Sequence, residues 1–249
     1  MSVLLQLRDI SKRFGGIEAV KSVSFEIRRG ALVGLIGPNG AGKTTLVNLI
    51  SRHESLSSGE IVLDFEPIHQ LAMYRVAQKG ISRTYQQNRL FFEDSVADNI
   101  KTGMVWVKGT NSEGFSYPGA TGTEPERLEA LLSFFGLDPF RDAVPGDLSH
   151  LLRRRVEIAQ ALALSPKLLL LDEPFAGFSH EEASGLIDLL RECQRGGLTI
   201  LLIDHNMDAV MQVCEHLYVV HHGALLASGT PAEIRSNQEV INVYLGGNL

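Results

Sequence analysis

The 249-residue chain carries 23 Lys and Arg against 29 Asp and Glu, a formal net charge of −6. That balance argues against a broad nucleic-acid surface, which needs clustered cations to neutralise phosphates. The length supplies one large domain or two small ones, with ample chain to bury a core. Cys193 and Cys214 fall on apolar faces of predicted helices with neither metal-ligand nor redox spacing, so buried free thiols in a reducing compartment are expected. No basic N-terminal segment leads into an apolar core, and no run reaches the roughly eighteen apolar residues that cross a bilayer. If the protein serves a membrane, it is expected to do so from the side.

In chain order, residues 3–8 and 20–27 alternate in polarity, with Val23, Phe25 and Ile27 on one face, and read as half-buried antiparallel strands. Between them Lys12-Arg13-Phe14-Gly15-Gly16 is expected to turn, carrying one exposed ring. The run Leu32-Val33-Gly34-Leu35-Ile36 is short enough for a buried strand and leads into Gly37-Pro38-Asn39-Gly40-Ala41-Gly42-Lys43-Thr44-Thr45. Leu46, Val47, Leu49 and Ile50 then continue at helical spacing. Strand, glycine-rich loop and helix fit G-x-x-x-x-G-K-[ST], in which backbone N–H groups cradle a polyphosphate at a helix N-terminus. Lys43 is placed to reach the β- and γ-phosphates and the Thr44 hydroxyl to hold Mg²⁺.

Further short strands are expected at 61–63 and 80–86, and the pattern turns helical from residue 95 to about 166. Within that region 103–123 is rich in Gly, Ser, Thr and Pro, includes Trp106, Phe115 and Tyr117, and reads as a long surface loop. Thr123-Glu124-Pro125-Glu126 is a capping box ahead of Leu128, Leu131, Leu132 and Phe135. A second helix starts near Leu151, with Val156, Ala159, Leu162 and Ala163 as its buried stripe.

Four leucines, Leu168 to Leu171, then run into Asp172-Glu173. The leucines suit a strand covered on both faces, so the carboxylates fall at its carboxyl end, where open parallel sheets place ligands. A helix through Leu186, Leu189, Leu190 and Cys193, a buried strand at 199–203 ending in Asp204-His205, and a hairpin around His221-His222-Gly223 complete the alternation. The fold class is therefore α/β, a P-loop NTPase core with a mostly parallel sheet, an antiparallel β part and an inserted helical part. Beside a phosphate loop, Asp172 suits a Mg²⁺ ligand, Glu173 a residue that polarises the attacking water, and His205 a contact to the γ-phosphate.

With these residues in view the chain resembles the ATP-binding subunit of an ATP-binding cassette (ABC) transporter along nearly its whole length. The resemblance implies that Phe14 stacks on adenine, that residues 37–45 are the Walker A loop, and that Gln86 senses Mg²⁺ and the membrane subunit. It further implies Asp172 as the Walker B aspartate, Glu173 as the catalytic glutamate, residues 176–179 as the D-loop and His205 as the switch histidine. ATP and Mg²⁺ are the expected cofactors. One ABC ATPase domain spans 1–249, with a RecA-like core at about 1–86 and 166–249 and a helical subdomain at about 87–165.

Within the family, Arg83-Thr84-Tyr85-Gln86-Gln87-Asn88-Arg89-Leu90-Phe91, the insertion after Asn99 and the ending Gly229-Thr230-Pro231 through Tyr244-Leu245-Gly246 are most similar to the ATPases of branched-chain amino acid importers. Residues 148–182 and the carboxyl end are also similar to the ATPase of lipopolysaccharide export. The signature segment, commonly L-S-G-G-Q, falls on Leu148-Ser149-His150-Leu151-Leu152. A side chain where the family has glycine crowds a phosphate contact, because backbone N–H groups approach closely only where Cβ is absent. Ser179 also replaces the usual D-loop Asp or Asn. A homodimer would carry this altered segment at both composite sites, so the expected partners are a second, distinct ABC ATPase, transmembrane permease subunits and, indirectly, a solute-binding protein. No nucleic-acid partner is expected, and the expected location is peripheral, on the cytoplasmic face of the inner membrane. The two competing classes are a soluble ABC ATPase acting on nucleic acid or ribosomes, and a regulatory subunit that binds ATP with weak hydrolysis.

Overall fold

The computed structural model describes residues 2–85, 90–104 and 123–245. In its antiparallel sheet, β1 (Val3–Phe14) and β2 (Ile17–Arg28) pair from Val3↔Arg28 to Phe14↔Ile17, and β4 (Ser58–Leu63) with β5 (Glu66–Pro67) extends the other edge. Both long strands outrun the expected 3–8 and 20–27. In the first strand the alternation of polarity breaks at Asp9, which takes a left-handed φ of 47° where the register shifts, and pairing resumes beyond it; Ser22, inside the expected second strand, takes a φ of 46° at the facing irregularity. Lys12, Arg13 and Phe14 therefore lie in β1, and the turn is confined to Gly15-Gly16.

The second sheet runs β10-β9-β3-β8-β7-β6, with β3 (Leu32–Ile36), β6 (Ile81–Arg83), β7 (Leu168–Asp172) and β8 (Thr199–Ile203) in parallel pairing and β9 (His216–His221) parallel to β3. Only β10 (Ala224–Gly229) is antiparallel, closing the hairpin with β9. Every residue of β3, β7 and β8 is buried, as strands covered on both faces require. One core joins this sheet to the antiparallel sheet and to α1 (Lys43–Ile50) through Leu35, Val47 and Phe25; the other joins its opposite face to the helices. Asp64, at the β4–β5 turn, accepts from Arg29 and from Lys167 at 2.6 Å, tying the first sheet to the residue before β7.

The helical part packs α3 (Val96–Met104), α4 (Glu124–Phe134) and α5 (His150–Leu162) around Ile100, Leu128, Leu131, Phe135, Val156 and Leu162. The capping box on Thr123 and Glu126 forms as expected. Gly103 and Met104, expected in a loop, close α3 instead; Trp106, Phe115 and Tyr117 lie outside the described residues. Near Asn99, which is completely buried, the amide accepts from Phe91 N at 2.8 Å and donates to the Phe91, Asp94 and Ser95 carbonyls, anchoring the entry to α3.

Three helices escape the hydrophobic pattern: α2 (Met73–Gln78), which buries only Val76, and the pair α8 (Pro231–Ser236) and α9 (Gln238–Leu245). They are too short to build a stripe, although Thr230 and Glu233 form the same capping box as Thr123 and Glu126. The remaining helices are α6 (His180–Arg195) and α7 (Met207–Val213). Cys193 and Cys214 are buried, and burial pushes the Cys193 thiol up to about 12 and the Cys214 thiol higher still, so neither is a nucleophile at neutral pH.

The α3–α5 contact depends on Gly103. A Cβ there sits 2.3 Å from the Gln160 carbonyl oxygen, a backbone atom that cannot swing away. Gly103→Ala is expected to cost about 1–3 kcal/mol by overpacking. At roughly 2–4 °C per kcal/mol for a domain of this size, thermal unfolding followed by circular dichroism should shift down by several degrees.

Candidate active site

The loop after β3 is held from behind by backbone. A Cβ on Gly37, whose φ is 155°, meets the Val220 carbonyl oxygen at 2.1 Å, and one on Gly42, with φ 104°, meets the Ala19 oxygen at 2.7 Å. Gly223 N donates to the Ala41 carbonyl at 3.0 Å, and Lys21 N donates to the Gly223 carbonyl at 2.8 Å, so the β9–β10 turn and β2 brace the loop together. The loop thus curls around a cradle that side chains would fill. In front lies a cleft of 420 Å³ lined by Asn39, Gly40, Ala41, Gly42, Lys43, Thr44 and Thr45, with Glu173 and His222 across from them.

Lys43 folds back inside this cradle. Its Nζ donates to the Gly37 and Pro38 carbonyls at 2.6 and 2.9 Å. Burial lowers its pKa, and the carboxylates of Glu173 and Asp172 oppose that shift. Among the described residues the ammonium donates to neutral carbonyl oxygens, which the phosphate oxygens of an entering polyanion can replace as stronger acceptors.

Sheet register sets the other side of the cleft. Ile203 pairs with Asp172 on β7 and with Leu35 on β3, so the strand ends carrying Glu173, His205 and the glycine loop emerge together. Glu173 takes a left-handed φ of 49°, an uncommon conformation for a side chain of this size, while its N–H donates to the Ile203 carbonyl at 2.7 Å. His205 Nδ1 lies 3.9 Å from Glu173 Oε1, and its side chain is 65% exposed. Asp172 is buried, and its Oδ2 accepts from Arg83 Nη2 at 2.8 Å.

Two further side chains hold this edge and escaped sequence reasoning. Asp204 is 2% exposed; its Oδ2 accepts from Phe175 N at 2.9 Å and its Oδ1 from Asn206 N at 2.8 Å, clamping the turn after Glu173 to the turn before α7. The strand-end logic that singles out His205 reaches Asp204 as well. Arg154, 3% exposed on α5, pairs with Glu157 at 2.7 Å and reaches toward the Glu173 carbonyl at 3.4 Å. In sequence it is one of three consecutive arginines, with nothing to show that it alone turns inward. Burial raises the Glu157 pKa, and Arg154 opposes the shift.

Phe14 closes β1 at 44% exposure with the Lys12 ammonium 4.7 Å from its ring centroid; the residue lining the cleft at this end is Ile17, on the far side of the turn. Gln86 lies outside the described residues. The altered signature forms an ordinary helix start: Ser149 caps α5 by accepting from Leu152 N, and Leu151 and Leu152 are half-buried in regular helix. The His150 ring packs edge-on to Phe178, centroids 5.0 Å apart, and lies against Gly177. Burial, with Arg154 and Arg153 nearby, lowers its pKa. Ser179 caps α6 and forms a capping box with Glu182.

A family model described as ABC transporter matches residues 20–176. The chain belongs to the ABC transporter family. A second model, described as branched-chain amino acid ATP-binding cassette transporter, matches residues 224–248. Among curated relatives, the high-affinity branched-chain amino acid transport ATP-binding protein BraF of Pseudomonas aeruginosa is 36% identical over 249 residues, covering 98% of each chain. The lipopolysaccharide export system ATP-binding protein LptB of Escherichia coli is 35% identical over 242 residues, covering 97% of each. The crystal structure of the ADP conformation of MJ1267, an ATP-binding cassette of an ABC transporter, superposes with a TM-score of 0.87 at 30% identity, covering 99% of this chain and 100% of that one. The protein is thus an ABC ATPase, a subunit type that binds ATP and works with transmembrane subunits. Among the described residues no helix is long and apolar enough to cross a membrane.

Gly42 decides whether the cradle forms. Gly42→Ala places a Cβ against the Ala19 carbonyl at a φ that alanine resists, a strain of about 1–3 kcal/mol. A fluorescent ATP analogue is expected to bind at least about tenfold more weakly, with the far-UV circular dichroism unchanged.

Proposed function

We propose that this ABC ATPase hydrolyses ATP to drive import of a small solute, branched-chain or other amino acids, through membrane permease subunits. The observation that carries the hydrolytic reading is the convergence of residues 37–45, Glu173 and His205 at the carboxyl ends of β3, β7 and β8. The match of residues 224–248 to the branched-chain model supports the solute class. The chain works as one ATPase domain, a core at about 1–86 and 166–249 and a helical part at about 87–165. It sits peripherally on the cytoplasmic face of the inner membrane, with a solute-binding protein as an indirect partner.

In this reading the backbone of residues 37–45 receives the phosphates, and Lys43 turns from the Gly37 and Pro38 carbonyls toward the β- and γ-phosphates. Phe14 and Ile17 flank the adenine. The oxygen donors of Thr44 and Asp172 suit a hard cation, and Thr44 is exposed at the cleft, so these two residues, with Gln86, would hold Mg²⁺. Mg²⁺ when bound supplies charge neutralisation for the phosphoryl group. Glu173 accepts a proton from the attacking water, and His205 donates a hydrogen bond toward the γ-phosphate. Glu173→Gln should leave nucleotide binding intact while reducing turnover by roughly 10²-fold or more. Equal turnover in both forms would sink the assignment.

The altered signature supports a heterodimer with one hydrolytic site, built from this chain's Walker A loop and the signature of a second, distinct ABC ATPase. His150 and Leu151 occupy positions where relatives approach phosphate through glycine, yet neither has a left-handed φ. The change is thus one of bulk, and His150→Gly with Leu151→Gly is expected to raise the weak turnover of the purified chain alone by on the order of a hundredfold. Full turnover of the unaltered chain without a second ATPase would refute the heterodimer.

A further inference from the structure

A buried polar network runs from Asp172 to the residue preceding segment 86–89, and Arg83 is its hub. The Arg83 side chain is 8% exposed and that of Asp172 7%. Nη2 donates to Asp172 Oδ2 at 2.8 Å; Nη1 donates to Asn48 Oδ1 at 2.7 Å and to Ser51 Oγ at 3.2 Å. Asn48 lies in α1, the helix that begins at Lys43, and Ser51 caps its end. On its other flank the guanidinium carbon stands 5.0 Å from the Tyr85 ring centroid. Tyr85 in turn shares a 2.8 Å hydrogen bond with His53 Nε2, and His53 Nδ1 shares one of 2.9 Å with Ser51 Oγ, closing a ring of contacts around Arg83.

We propose that Arg83 is a positioning residue for the metal site: it orients the Asp172 carboxylate and locks it to α1 and to Tyr85. This rests on the reading of Asp172 as a Mg²⁺ ligand. A carboxylate buried this deeply needs a counter-charge when no metal is bound, and Arg83 provides one while engaging only Oδ2. Oδ1 receives no hydrogen bond from the described residues. The planar fork is what makes the arrangement work, because one nitrogen faces β7 while the other faces α1; an ammonium is a point charge that serves one side or the other. Arg83 belongs to β6, so whatever displaces Tyr85 also pulls on the residue holding Asp172. The network gives the segment beyond Tyr85 a mechanical connection to the metal site that does not pass through the nucleotide.

Residues that orient a metal ligand affect metal affinity by roughly 10–100-fold. The test is the ratio of the dissociation constants of a fluorescent ATP analogue in EDTA and in Mg²⁺, measured on the full chain. Arg83→Lys is expected to cut that ratio by about tenfold, leaving the EDTA value unchanged, and Asn48→Ala to cut it by a smaller factor, about threefold. A merely structural role would weaken binding equally in both media, and that result overturns the proposal. Asn48→Ala leaves the Arg83–Asp172 pair in place and carries the test if Arg83→Lys does not fold; an unchanged ratio in it then overturns the proposal. Asp172→Asn separates the two levels of the argument. A ratio reduced by Asp172→Asn but untouched by Arg83→Lys removes Arg83 alone, whereas a ratio unaffected by either removes the assignment of Asp172 as well.

Discussion

Ile203 pairs with Leu35 on one side and with Asp172 on the other, and the arrangement of the site depends on that double register. The parallel ladder fixes where three strands end. A slip of one residue in β7 would send Asp172 to the opposite face of the sheet and carry Glu173 away from the glycine loop. The uninterrupted burial of β3, β7 and β8 makes such a slip costly, since every side chain on both faces is packed. The core that stabilises the sheet is therefore the same feature that aligns the chemistry.

Around that edge the chain spends its buried polar groups on holding turns. Asp204 ties the turn after Glu173 to the start of α7, Arg154 reaches the Glu173 carbonyl from α5, and Arg83 anchors Asp172 to α1. Each is nearly excluded from solvent, where an unpaired polar group is expensive and a paired one is geometrically demanding. The left-handed Glu173 persists because its own N–H is committed to Ile203 and the turn beyond it is clamped by Asp204. The altered signature stands apart from this bracing. Its helix start is regular, and what distinguishes it is the bulk that His150 and Leu151 add and the contact His150 makes with Phe178.

The glycine loop, the leucine strand and the strand ends are legible in the sequence because each carries a local signal: small residues before Lys43, four leucines before Asp172, and an apolar run before His205. The capping box at Thr123 is equally legible. The period of the first strand ends at Asp9, where a bulge interrupts an alternation that the ladder survives, whereas the second strand gains only Ile17, Glu18, Ala19 and Arg28 beyond its alternating stretch. Helices α8 and α9 are not legible in this way because neither is long enough to display a stripe, despite the capping box at Thr230. Arg83 and Arg154 were invisible as network members, since a charged residue in sequence reads as solvent-facing by default.

What the sequence by itself determined is the set of local conformations and their chemistry: a loop that only glycines permit, strands that must be covered, helix starts marked by caps, and the membership of the ABC family that those residues carry. What only the tertiary structure decided is which polar groups are buried and whom they face. Asp172 meets Arg83 across 89 residues of chain and Asp204 meets Phe175 across 29. Periodicity reports how a segment presents itself to a generic interior, whereas these pairings come from the register and the packing of segments far apart in the chain.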